Sequence, residues 1–355
     1  MPEHTHIPRV AIVLLSYNSL PLVQKFLPLI LETTPCDENH VVWLVDNAST
    51  DGTGEWVKAN LPEVKIYTIK TNHGFTGGYS ESLPHIPAKN YVLISSDIEV
   101  TPGWLEPGLE LLESNSNVAA VQPKIMSFDR RDEFEYAGAA GGFIDFLGFP
   151  FCRGRLVNSV EKDRGQYNDS IEIFWASGAC LFIKADLYHR SGGLDNDFFA
   201  HMEEIDLAWR LKNMGYKIMY QPKSKIFHMG GYVIQYGSPA KIFRNHRNNL
   251  IMLLKNGTGS KLWWKIPLRF GLDYIAFIKM LFDGNPKASF AVVKAHWQFL
   301  TMLPKWLKKR EDVQELAIKN PNRYGICHKS LVFQFFALGK KTFPELKWDP
   351  AKQRC

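Results

Sequence analysis

The chain has no CxxC pair, no apolar run long enough to cross a membrane, and no glycine-rich loop after its first predicted strand. Five cysteines, Cys36, Cys152, Cys180, Cys327 and Cys355, are scattered over 355 residues. Such an odd, dispersed set gives neither a zinc site nor a disulfide framework, so reduced thiols in a cytosolic compartment are expected. The N-terminal apolar run, residues 10–15, is too short for a signal sequence or a spanning helix and reads as a buried strand. Acids are scarce in one region only. Residues 241–310 hold fourteen Lys and Arg against Asp273 and Asp283, while the rest of the chain carries 28 basic and 34 acidic residues. The chain is a mildly acidic body with a basic C-terminal region.

A hydrophobic content of 45% with 13% aromatics indicates a packed core. Apolar runs at 10–15, 40–45, 64–69, 91–94 and 180–183 read as strands, and helical patterns occupy 20–32, 54–60 and 104–115. Continuous apolar strands alternating with helices predict an α/β fold with a mostly parallel sheet covered on both faces. Ligands of such sheets bind beyond the carboxyl ends of the strands. There the sequence places Ser16, Tyr17 and Asn18, then Asp46 to Asp51, then Ser95, Ser96 and Asp97. Residues 119–175 are glycine-rich and are expected to form a long loop region with short strands. Residues 217–220 and 226–228 are expected as two further extended segments.

Two features carry chemistry. Asp97, at a strand end, suits a Mg²⁺ or Mn²⁺ ion that takes its remaining ligands from substrate phosphates; it equally suits a cap on the turn that follows. His228 would serve as a second ligand, better for Mn²⁺ than for Mg²⁺, or as a core histidine. The stretch FFAHMEEIDLAWR, residues 198–210, crowds Glu203, Glu204 and Asp206 together. Acids favour the first turn of a helix, and Asp206 can pair with Arg210 one turn on.

The segments LSYN, VDNASTDGT, NHGFTGGYS, ISSDIEV, SGACLFIKADLYHRSGGLDNDFF, EEID and FH, in that order over residues 7–235, resemble the family 2 glycosyltransferases, in particular a bacterial rhamnosyltransferase-like branch. The resemblance implies a GT-A catalytic domain over 1–238, followed by a mainly helical region over 239–355. It implies a nucleotide-diphosphate sugar as donor, linked to dTDP or UDP. Ser16, Tyr17, Asn18 and Asp46 would lie at the nucleotide, with Tyr17 and Asp46 on the base. Asn72, Gly74 and Gly77 would form the donor loop. Ser96 and Asp97 occupy the DxD position, with Asp97 and His228 as metal ligands. Trp175 and Gly178 would face the acceptor. Glu204 matches the second residue of the family's acidic pair, the base of inverting members, and crowding by Glu203 and Asp206 would raise a pKa to suit proton uptake. The chain departs from the pattern at Ser95-Ser96-Asp97, which lacks the first acid. It departs again at Ser80, where Asn is common, and at Glu203-Glu204, where the base is a methylene longer. Asp206 is then the fallback base.

In the basic region, Trp263, Trp264, Trp297 and Trp306 lie beside cations. This suits a helix in an anionic membrane interface, or a helical subdomain packed on the catalytic part. No nucleic-acid recognition motif is present. The expectation is a metal-assisted inverting glycosyltransferase acting on a glycan or lipid-linked acceptor, peripheral on the inner face of the cytoplasmic membrane. The rivals are a nucleotidyltransferase, whose phosphate loop is missing, and a nucleotide-binding scaffold without catalysis, for which Ser95-Ser96 and Glu203-Glu204 are the motive.

Overall fold

The computed structural model describes residues 6–34, 36–230, 237–257 and 259–352. Cys355 lies outside them, and the four described cysteines are free thiols. In chain order the catalytic part contains β1 (Val10–Ser16), α1 (Leu20–Thr33), β2 (His40–Asn47), α2 (Thr53–Asn60), β3 (Lys65–Ile69), α3 (Gly74–Ser82), β4 (Asn90–Ser95), β5 (Ile98–Val100), α4 (Leu105–Glu113) and β6 (Val118–Ser127). Then come β7 (Gly142–Asp145), β8 (Pro150–Cys152), β9 (Arg155–Leu156), β10 (Ser159–Val160), β11 (Ile171–Ile173), β12 (Cys180–Lys184), α5 (Ala185–Arg190), α6 (Glu203–Asn213) and β13 (Lys217–His228). The C-terminal region adds α7 (Pro239–Asn256), α8 (Leu262–Phe282), α9 (Pro286–Thr301), α10 (Leu303–Glu315) and β14 (Ile326–Cys327).

The main sheet runs β11-β13-β6-β12-β4-β1-β2-β3, with β5 beside β13. Its N-terminal half, β3-β2-β1-β4, is parallel, and all seven residues of β1 are buried, as strands covered on both faces require. The other half is mixed. After β6 the chain leaves the sheet to build a second one, then re-enters from the same end, so β12 runs antiparallel to both β4 and β6. That return places Ser177, Gly178 and Ala179, just before β12, at the carboxyl ends of β1 and β4.

Residues 119–175 depart from the expected loop region at their start. Ten residues form β6, in the middle of the main sheet. Pro123 and Lys124 interrupt its apolar pattern, yet both are accommodated. Pro123 faces an irregularity in β13 between Gln221 and Lys225, the kind of position a sheet allows proline. Buried Lys124 binds Asp163 at 2.7 Å and Asn168 at 2.5 Å. The same irregularity explains why one twelve-residue strand, β13, reads in sequence as two pieces. The rest of the stretch gives the expected short strands: β11 joins the edge of the main sheet, and the others gather with β14 into a second sheet ordered β10-β9-β8-β7-β14.

The C-terminal region is tied into the body. Leu250 to Leu254 on α7, Phe299 and Trp306 share one apolar core with Phe143, Phe174 and Trp209. Trp306, expected at a membrane, is buried and donates its indole N–H to the Phe299 carbonyl at 3.1 Å. Trp264 packs on Phe146. Trp263 and Trp297 are 77% and 70% exposed. Among the described residues no helix is long and apolar enough to cross a membrane.

Candidate active site

A cleft of about 870 Å³ opens beyond the carboxyl ends of β1 and β4. Its walls bring together Tyr17, Asn72, Gly74, Ser96, Asp97, Trp175, Gly178, Glu203, Glu204 and His228. Five other expected residues do not line it: Ser16, Asn18, Asp46, Gly77 and Asp206.

The turn after β1 and the VDNASTDGT turn after β2 are cross-bonded. Asn18, in a left-handed conformation (φ 47°), accepts from the Thr50 backbone N–H at 2.7 Å. Asp51 accepts from Leu20 N–H at 2.9 Å, where α1 begins with orphan donors. Asp46 accepts from Ser49 N–H, and Ser16 shares a hydrogen bond with Ser19 at 2.6 Å. These bonds shape the pocket and leave the Tyr17 ring 43% exposed at its mouth.

Asn47, not singled out in the sequence although it lies within VDNASTDGT, governs the next wall. Its side-chain amide donates to Asn72 at 3.1 Å and to the Gly74 carbonyl at 3.0 Å, and its oxygen accepts from His73 N–H. Gly74 opens α3 at φ +73°, and a Cβ there would lie 2.7 Å from both the ring and the carbonyl of Phe199. Only glycine fits. Gly77 is set inside α3, where a Cβ would meet that of His73.

Asp97 and His228 meet across the sheet because β13 runs past β5, pairing His228 with Ile98. His228 Nε2 is 3.2 Å from Asp97 Oδ2, and its Nδ1 is 3.3 Å from Glu135 Oε1. All three are largely buried, and Glu135 also accepts from the Ala137 N–H. Burial disfavours an imidazolium here, but the two carboxylates outweigh it and hold His228 well above its ordinary pKa. Asp97 is likewise pulled below the usual carboxylate range, burial notwithstanding, by His228. Two donor atoms 3.2 Å apart match the separation of neighbouring ligands on one ion, roughly 3 Å for bonds near 2.1 Å. A carboxylate behind the imidazole is the usual support for a metal-binding histidine. The residues therefore fit Mg²⁺ or Mn²⁺. Glu135 lies in the irregular stretch, and no sequence signal pointed to it.

At the facing wall, α6 begins at Glu203 directly after Met202, which has φ 73°. Among the described residues, Oε2 of Glu203 and Oε2 of Glu204 have no hydrogen-bond partner. Burial pushes Glu204 up to about 7, only partly offset by backbone N–H groups of the first turn. Burial and then the neighbouring Glu204 push Glu203 well above its ordinary value. Asp206, the expected fallback base, is in a different situation: fully buried, it binds Arg210 at 3.0 Å, Lys255 at 2.9 Å and Asn256 at 2.8 Å. It does not reach the cleft, because helical geometry turns it away from Glu204 toward α7.

The C-terminal helices close the cleft. Lys241, Arg244 and His246 on α7 and Leu272, Asp273 and Ile275 on α8 line it. His201 lies there too, and its pKa falls to about 4 through burial and the nearby charges of Lys241 and Arg244. A second His-carboxylate group, His246, Asp273 and His296, has ligand atoms within 4.8 Å of one another. Arg269 stands 3.8 Å from the same carboxylate and already neutralises it. That cluster reads as a polar joint between α7, α8 and α9. None of these residues was singled out in the sequence, where they appear as scattered charges in a basic region.

A glycosyl transferase family 2 model matches residues 11–191. An N-acetylglucosaminyl-diphospho-decaprenol L-rhamnosyltransferase of Mycobacterium tuberculosis is 23% identical over 279 residues, 74% of this chain and 88% of that protein. A low-salt glycan biosynthesis hexosyltransferase of Haloferax volcanii is 21% identical over 48% of this chain and 52% of its own length. Among solved structures, the chain is similar to GalNAc-T7 with UDP, GalNAc and Mn²⁺, at TM-score 0.54 and 13% identity over 71% of this chain and 48% of that one. It is also similar to a mannosyltransferase of Pyrobaculum calidifontis with GDP-Man and Mn²⁺, at TM-score 0.50 and 18% identity over 89% and 88%. With the family model spanning half of its length and the fold shared with these transferases, the chain belongs to glycosyl transferase family 2 and is a GT-A glycosyltransferase.

Proposed function

We propose that the enzyme moves a sugar, with inversion, from a dTDP- or UDP-linked donor to a hydroxyl of a glycan or lipid-linked acceptor. One observation carries this reading: a buried carboxylate raised to about 7, one oxygen of which has no partner among the described residues, shares a cleft with the Asp97–His228 pair. A general base works best with a pKa near the working pH, which Glu204 has. The acceptor hydroxyl gives its proton to the Glu204 carboxylate as its oxygen attacks the anomeric carbon. The bond from that carbon to the diphosphate breaks on the opposite face. Asp97 and His228 would hold Mg²⁺ or Mn²⁺, supplying positive charge to the departing diphosphate. Lys241 and Arg244, on the same cleft, add positive charge from the helical side.

Tyr17 would stack on the nucleotide, with Ser16, Asn18 and Asp46 shaping its pocket, and Asn72 and Gly74 would border the donor. Trp175 and Gly178 would face the acceptor; a Cβ at Gly178 would lie 3.8 Å from that of Glu204. A lipid-linked acceptor is supported by the name of the mycobacterial relative. It is also supported by exposed Trp263, Ile275, Phe282, Phe290 and Trp297 on α8 and α9, which alternate with exposed Lys261, Lys279, Lys287 and Lys294. Such a face suits an anionic membrane surface.

A panel of nucleotide diphosphates and nucleotide sugars, with Mn²⁺ or with chelator, tests the donor site by thermal shift, since a ligand of the native state raises its melting temperature. The expected result is a Mn²⁺-dependent shift with UDP or dTDP compounds. A flat panel would overturn the donor assignment.

A further inference from the structure

We propose that Asn248, on α7, is a positioning residue that holds the loop presenting Glu203 and Glu204 in the shape transfer requires. Its consequence for catalysis rests on the transferase reading above; the clamp itself rests on geometry alone.

The loop runs from the turn Asn196–Phe198 to the start of α6. Phe199, His201 and Met202 have φ of 64°, 73° and 73°. These are left-handed conformations that residues with side chains rarely adopt, and Phe and Met have no local preference for them. An unsupported loop would relax toward ordinary angles. Here every carbonyl from 197 to 202 is captured. The two N–H groups of the Asn248 amide are shared among the carbonyls of Phe198 at 3.1 Å, Ala200 at 3.0 Å and His201 at 2.8 Å. Arg247 donates to the Asp197 carbonyl at 2.6 Å, Thr76 N–H to that of Phe199, and Asp206 N–H to that of Met202. The same Arg247 donates through Nε and Nη2 to Asn248 Oδ1, at 2.9 and 2.7 Å. With donors on its oxygen and acceptors around its nitrogen, the amide has one orientation. Asn248 is completely buried. Outside the loop, Arg244 covers the Phe199 ring at 4.7 Å.

Met202 immediately precedes α6, and Glu203 is its first residue. A change of φ at 201 or 202 therefore swings the first helical turn and both carboxylates with it. Oε2 of each glutamate lacks a partner among the described residues, so no hydrogen bond at those two atoms corrects the swing. Asn248 does not reach the cleft. It acts through the backbone.

Asn248→Asp keeps size and the acceptor for Arg247 but removes both N–H donors; Asn248→Ala removes the clamp without adding charge. Each variant is compared with the full-length wild type in three readouts: kcat and donor KM for transfer, the Mn²⁺-dependent thermal shift with UDP or dTDP, and amide hydrogen exchange. The expected result is a kcat lower by about 10²-fold, the size of effect a 1 Å misplacement produces. Donor KM and the nucleotide shift should stay within twofold. Exchange should accelerate at residues 199–204 and remain unchanged in β1 and β4. Unchanged exchange at 199–204 in both variants would overturn the clamp. Faster exchange with wild-type kcat would overturn the positioning role. A wild-type protein that transfers no sugar would sink the transferase reading instead, and the exchange arm would still decide the clamp.

Discussion

Two groups of buried acids in and around the cleft are treated differently. On the helical side, Asp195 meets Lys255 and Lys309, Asp206 meets Arg210 and Lys255, and Asp273 meets Arg269 and two histidines. In the second group, Asp97 and Glu135 share His228 at the strand ends, and Glu203 and Glu204 on the opposite wall each keep an oxygen unpartnered among the described residues. A buried charge with a full set of partners is construction. One left incomplete marks a place where a ligand, an ion or a travelling proton completes the account. The contrast is sharpest within α6, where Glu204 and Asp206 lie two residues apart and serve opposite ends.

Exchanging the members of that pair gives the largest effects. Glu204→Gln should lower kcat by about 10²–10⁴-fold, the range a general base contributes, while donor binding stays near normal. Asp206→Asn should instead cost about 3–5 kcal/mol of stability, because it takes the carboxylate from buried Arg210 and leaves Lys255 with Asp195 alone. Denaturant melts and steady-state transfer assays on both variants check this. A stable Asp206→Asn with selectively lost turnover would reverse the two roles.

The two histidine clusters offer the next comparison. Asp97→Ala should abolish the Mn²⁺-dependent part of the nucleotide thermal shift. Asp273→Asn should lower the melting temperature and leave the Mn²⁺ dependence in place. If the two variants behaved the other way round, the ion would belong to the helical cluster and Arg269 would have been misjudged.

Much of the strand-end side was legible in the sequence, because each of its residues ends an apolar run or sits within a dense polar string. β1, β2 and β4 announce themselves as continuous apolar stretches, and Tyr17 and Asp97 sit just past the ends of β1 and β4, whereas Asn72 and Glu204 were reached through the family resemblance. The chemistry of Asp206 was harder to see. Its i+4 partner Arg210 was visible, but Lys255 and Asn256 lie about fifty residues downstream and meet it only through tertiary packing. Glu135, Asn248 and the joint around Asp273 were invisible for the same reason. Each works through partners on distant elements, and no local spacing encodes that. β6 was missed because Pro123 and Lys124 break its pattern, and their accommodation depends on an irregularity in β13 and on Asp163.

Proton affinity gives a finer separation of the two groups. With Glu204 held at about 7 by burial, log(kcat/KM) should climb with unit slope below pH 7 and level off above it, since the base must be deprotonated. A limb near pH 4.5 would mean that the free carboxylate is solvated and that another group is the base.

The smallest effect is on stability. Glu203 is raised above its ordinary value of 4.5 in the fold, so above pH 4.5 the native state binds more protons than the unfolded chain does. Stability contributed at this position is therefore intact below 4.5 and falls as pH rises toward the native pKa. Glu203→Gln removes that loss. It should leave the melting temperature unchanged near pH 4 and raise it at pH 8. The same substitution logic fails at Asp206, whose buried partners are cationic and need its charge. A Glu203→Gln protein destabilised at pH 8 would show that this carboxylate, too, has a hidden partner, and the division between the two groups of acids would lose one of its members.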